Sequence, residues 1–138
     1  MNYSEFIAAV SQRAGMETAE ATSVTRATLE TLADRMTSGQ ASAIAGELPR
    51  ELRRHLHKTT NVRGAQFAEQ FRFDEFCHRV GERSGLDDAR AEVGVRAVLT
   101  TVAEAISEDE ISGMRSQLPK EFWGLTRPGV PAEEVQKD

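Results

Sequence analysis

Tyr3-Ser-Glu-Phe6-Ile-Ala-Ala-Val10-Ser-Gln-Arg13-Ala-Gly15-Met16 returns 70 residues later as Phe73-Asp-Glu-Phe76-Cys-His-Arg-Val80-Gly-Glu-Arg83-Ser-Gly85-Leu86, without a gap. The parallel continues through Arg26-Ala27 and Arg96-Ala97, Leu29 and Leu99, and Thr31 and Thr101. It closes in Leu48-Pro49-Arg-Glu51 against Leu118-Pro119-Lys-Glu121. About a third of some 50 aligned positions are identical. Chance explains this poorly, so the chain reads as a duplicated unit. The expected organisation is a first repeat unit over 1–57 and a basic connector with a short helix over 58–72. A second unit over 73–125 and a flexible tail over 126–138 follow. Some 50 residues alone bury little core, so the units are expected to fold together as one cooperative globular domain.

Each unit reads as helical, giving an all-α fold of two homologous units with about four helices each. Phe6 and Val10, like Phe76 and Val80, stand four apart on one helical face. Ser4 and Asp74 are the expected N-caps. Gly15 and Gly85 are expected to end the first helix, where a left-handed backbone suits glycine. A longer helix is expected over 18–36 and again over 88–106. Val95, Leu99, Val102 and Ile106 form its apolar stripe, and Leu29, Leu32 and Met36 match them with Thr25 at the head. A third, short helix would bury Ala41, Ile44 and Leu48, or Ile111, Met114 and Leu118. Pro49 and Pro119 are expected as the first residues of a fourth helix, with Glu51 and Glu121 in its first turn facing the positive end of the dipole. No strand alternation or hairpin signal occurs. Whether a pseudo-twofold or simple stacking relates the units is left open.

Composition narrows the function classes. The chain has 138 residues, 39 % hydrophobic and 28 % charged, which suits a folded protein rather than a disordered one. No apolar run approaches the roughly 20 residues of a membrane span, and no secretory signal is visible. Cys77 is the single cysteine, which excludes an internal disulfide and fits a reducing cytoplasm.

The Phe-x-x-x-Val-x-x-x-x-Gly opening, the Arg-Ala-x-Leu-x-Thr helix and the closing Leu-Pro-x-Glu, each present twice, resemble the Domain of Unknown Function 2267 family. The resemblance runs from about Tyr3 to Leu125. It implies a small, all-helical, cytoplasmic bacterial protein, and it brings no catalytic residues. The chain departs from it in a connector poor in glycine that carries Phe67 and Phe71, and in the tail after Leu125.

The charges recur with the repeat. Glu5, Arg13, Arg26 and Glu51 return as Glu75, Arg83, Arg96 and Glu121. Two equivalent anion sites would use such a set, but helical bundles commonly use one to orient helices. Glu5, Arg26, Glu75 and Arg96 are therefore expected in structural charge pairs, with Arg26 and Arg96 each on a carboxylate of their own unit. The stretch 50–72 stands apart. It carries six basic residues against two acidic ones, a local net of +4 in a chain of net −5. Arg50, Arg53, Arg54, Lys58 and Arg63 are the candidate contacts there for an acidic partner or a phosphate backbone. An overall pI near 5.3 argues against general nucleic-acid binding.

Chemistry is otherwise thin. His55 and His57, two apart on a helix, diverge by about 200°, which is poor for a shared metal. Cys77 aligns with Ile7 and is expected to fill an apolar slot. No nucleophile elbow, P-loop or dinucleotide fingerprint is present. Catalytic, cofactor-binding and metal residues are therefore expected to be none. Phe67, Phe71 and Trp123 are candidate apolar contacts, with the gap between the two units as their competing place. The expected function is a non-enzymatic protein-interaction or adaptor module using the surface between the repeats, with an unknown protein as partner. A nucleic-acid-associated factor using the basic connector is the alternative. No membrane is involved, and a monomer and a homodimer both remain open.

Overall fold

The structure, a computed structural model, describes residues 1–57 and 69–126. Helix α1 spans Tyr3–Ala14, α2 Thr18–Arg35 and α3 Ser38–Ala45, followed by a 3-10 helix, η1, over Arg50–Leu56. The series then recurs as α4 Phe73–Ser84, α5 Asp88–Ala105, α6 Glu108–Ser116 and a second 3-10 helix, η2, over Lys120–Thr126. The described residues contain no strand, as the sequence predicts.

Local chemistry sets the ends of these helices. Asn2 and Glu5 cap α1 reciprocally: Glu5 N–H donates to Asn2 Oδ1 at 2.8 Å, and Asn2 N–H to Glu5 Oε1 at 2.9 Å. Ser4 is thus inside the first turn rather than at the cap. Asp74 is likewise inside α4, whose Phe73 N–H donates to Glu121 Oε1 at 2.8 Å. The long-range carboxylate takes the place of a local cap. Both first helices end on glycine in the left-handed region, Gly15 at φ 64° and Gly85 at φ 78°. Pro49 and its carbonyl precede η1 as the N-cap, so the fourth element begins one residue later than the sequence predicts. It is a single short 3-10 helix docked by Leu52 and Leu56, both buried.

Helices α2 and α5 form the centre and are buried on most sides. Each first helix packs against both of them: α1 lies on α2 and α5, and α4 on α5 and α2. One continuous apolar cluster therefore runs through both halves, from Phe6 to Leu125. The stripe Val95, Leu99, Val102 and Ile106 is buried, as are Leu29, Leu32 and Met36. So are the expected inner faces of α3 and α6. Phe122 joins the cluster edge-on to Phe73 and Phe76, with centroids 5.2 Å apart in each pair.

The contacts between the halves are reciprocal. Arg13 donates to Thr101 Oγ1 at 2.8 Å and to Glu104 at 2.7 Å. Arg83 donates to Thr31 Oγ1 and to Asp34, both at 2.8 Å. Glu47 Oε1 accepts from Ser107 N–H at 2.6 Å, and Gln117 Oε1 from Thr37 N–H at 2.8 Å. Corresponding positions also meet face to face. Arg90 reaches Glu20 at 2.9 Å, and Gln40 reaches Glu110 at 3.0 Å. At the crossing of α2 and α5, a Cβ on Gly94 would stand 2.4 Å from Cγ2 of Val24. A twofold relation between the two series produces such a pattern, and simple stacking does not.

Candidate interaction surface

Helix η1 carries the basic residues singled out in the sequence. Leu52 and Leu56 turn into the core against α2 and α3, and Leu52 N–H donates to Pro49 O at 2.9 Å. That anchoring leaves Arg50, Glu51, Arg53, Arg54 and His57 exposed. Arg53 Nε donates to Leu48 O at 3.2 Å, which fixes the direction of its guanidinium. No carboxylate partner of Arg50, Arg53 or Arg54 occurs among the described residues. His55 is half-buried, and its pKa is lowered first by burial and then by the positive charge of Arg54. The candidates Lys58, Arg63 and Phe67 lie outside the described residues, as does the tail beyond Thr126.

The arginines of the long helices contrast with those of η1. Arg26 pairs with Glu30 of its own unit at 3.1 Å and also donates to Arg83 O at 2.8 Å. Arg96 pairs with Glu92 of its own unit at 3.0 Å and lies 5.2 Å from the centroid of the Phe73 ring. Glu75 meets Arg79 at 3.0 Å, while Glu5 belongs to the α1 cap. Arg79 also meets Glu69 and Asp34. The recurrent Arg13 and Arg83 are therefore braces between the halves rather than anion sites.

Phe71 and Trp123 take different places. Residues 69–72 contain no helix, and Phe71 is buried between α2 and α4. Arg79 stacks 3.8 Å above its ring centroid and Arg35 lies 5.6 Å away. Phe71 is consequently part of the seam and gives no outward contact. Trp123 does not fill the seam: it is 41 % exposed, and its Nε1–H is shared by the carbonyls of Arg115 at 3.0 Å and Leu118 at 3.2 Å, both of its own half.

Arg35 is the polar residue that the sequence does not disclose. It is buried and donates to Phe71 O at 2.6 Å and to Gln117 O at 2.8 Å. Desolvation lowers its pKa, and carbonyls rather than a carboxylate hold it. Gln117 caps the C-terminus of α6, where the helix dipole is negative and suits the charge. Its counterpart in the second half is Ala105, so the repeat carries no signal for it.

The remaining titratable candidates are plain. Cys77 is buried, and desolvation pushes its thiol up to about 12. His78 is exposed beside Asp88 at 3.2 Å and Glu82 at 3.7 Å, and its pKa is raised first by the hydrogen bond to Asp88. Among the described residues, no three His, Cys, Asp or Glu side chains come together so as to hold a metal ion. No described helix is long and apolar enough to cross a membrane.

Among known protein families, the model for "Uncharacterized conserved protein (DUF2267)" matches residues 3–125. No curated protein matches the chain at a significant level.

Proposed function

The chain belongs to the DUF2267 family of uncharacterized conserved proteins, and we propose that it is a non-enzymatic interaction module of the cytoplasm that binds a protein partner. One contrast supports this reading. The arginines of α1, α2, α4 and α5 are committed to carboxylates, carbonyls or rings of the fold itself, whereas those of η1 are exposed and have no carboxylate among the described residues. Charge held on a docked helix and left uncompensated is available to a second molecule. Reciprocal ion pairs and the α2–α5 crossing occupy the seam between the halves, which supports a reading that uses η1 instead of the seam.

The test is affinity capture of the tagged full chain from its native lysate, with and without nuclease, followed by cross-linking to place the contact. A protein that survives nuclease and cross-links to the chain supports the proposal. A catch that disappears with nuclease overturns it in favour of nucleic acid, and an empty catch also counts against it.

A further inference from the structure

We infer that η1 is a docking site for a short acidic segment of a partner protein, one segment per chain. The inference deepens the interaction reading above and rests on it. Its physical basis is the spacing and anchoring of three arginines.

In a 3-10 helix, residues three apart eclipse one another, and three residues rise about 6 Å. Arg50, Arg53 and Arg54 are all exposed along η1, and Arg50 and Arg53, three residues apart, are separated by about 6 Å of rise. Carboxylates at alternate positions of an extended segment are about 7 Å apart, which matches that spacing. Buried Leu52 and Leu56 hold the helix, and the Leu48 carbonyl holds Arg53 Nε. The remaining guanidinium nitrogens of Arg53 are suited to two-pronged recognition of a carboxylate. Anchoring lowers the ordering cost that a mobile basic loop would carry.

Extent favours protein over nucleic acid. An arginine set this short meets two or three phosphates, and so few contacts bind nucleic acid weakly at physiological salt. Acidic side chains spaced along a peptide need no longer track. The stoichiometry follows from the second half. Its counterparts of Arg50, Arg53 and Arg54 are Lys120, Trp123 and Gly124, so the arginine set is present once.

The test uses the full chain and a fluorescein-labelled ten-residue peptide of alternating Glu and Ser, read by anisotropy in low and physiological salt. The expected result is saturable binding at one peptide per chain that weakens with salt. The triple variant Arg50→Gln, Arg53→Gln, Arg54→Gln should weaken it roughly tenfold or more. Circular dichroism and Tm should stay at native values, and Lys120→Gln should bind as the native chain does. Equal binding by the triple variant, two peptides per chain, or tighter binding of an oligothymidylate of equal charge would each overturn the inference. Absence of peptide binding would do the same. Capture with the triple variant separates the two levels: a nuclease-resistant partner retained by that variant leaves the interaction reading standing and removes η1 as its site.

Discussion

Gly94→Ala tests the crossing of α2 and α5, because two opposing effects of known size meet there. In an unobstructed helix interior the change should stabilise by about 1 kcal/mol through helix propensity. Here the new Cβ stands 2.4 Å from Val24 Cγ2 and 3.2 Å from its Cβ, well inside ordinary contact of about 3.5–4.0 Å. Val24 is β-branched and held to one preferred rotamer in a helix, so the methyl cannot swing aside. The two helices must separate, and overpacking of this kind costs about 1–3 kcal/mol. We expect a net loss of up to about 2 kcal/mol. With an unfolding entropy of about 2.1 cal/mol/K per residue, that lowers Tm by up to roughly 7 °C for a chain of this length. The assay is thermal and urea unfolding of Gly94→Ala, Val24→Ala and the double variant. Val24→Ala alone should also destabilise, since it empties a buried site. In the double variant the methyl added at position 94 enters that space, so the two losses should fall short of their sum by about 1 kcal/mol or more. A rise in Tm for Gly94→Ala, or strictly additive losses, would refute the close crossing and with it the twofold arrangement of the halves.

Three further outcomes follow from buried or paired groups. Thr25 and Thr28 are fully buried in α2, and their hydroxyls have no hydrogen-bond partner among the described residues; Thr25→Val and Thr28→Val, which copy Val95 and Val98, should each raise stability by about 1–3 kcal/mol, and a loss in urea unfolding would contradict this. His78 has a raised pKa in the fold, so its stabilising contribution is present below the unfolded value of 6.5 and is lost as pH rises through the folded value. An NMR titration should place its midpoint above 6.5 and Asp88→Asn should bring it back down; a native midpoint at or below 6.5 contradicts the pairing. The Cys77 thiol, pushed up to about 12 by burial, should resist aromatic disulfide reagents at about pH 8 until denaturant is added, and rapid labelling of the native protein would show the site to be open.

Much of the fold is legible in the sequence because helix boundaries are local events. Gly15 and Gly85 end helices through their own backbone freedom, and the stripe from Val95 to Ile106 marks a buried face by spacing alone. Less of the candidate surface is legible. The basic run at 50–54 is visible, but its exposure follows from Leu52 and Leu56 turning inward. The fate of the recurrent arginines is legible only in part: Arg26 and Arg96 pair within their own units as expected, but the reach of Arg13 and Arg83 into the opposite half is not visible. Arg26 and Arg13 recur in the same way, yet the first pairs within its own helix and the second reaches Glu104 in the other half.

By itself, then, the sequence determined an all-helical chain with two matching series of elements, its apolar faces and a family with no assigned activity. Tertiary structure alone decided that each first helix packs on the long helix of the opposite half. It also placed Arg35 on the carbonyls of Phe71 and Gln117, buried Phe71, and left the η1 arginines without a carboxylate among the described residues. The physical reason is one of range. Periodicity and capping act over three or four residues and can be read along the chain. Which face meets which depends on side chains tens of residues apart, such as Val24 and Gly94, whose fit exists only once α2 and α5 have crossed.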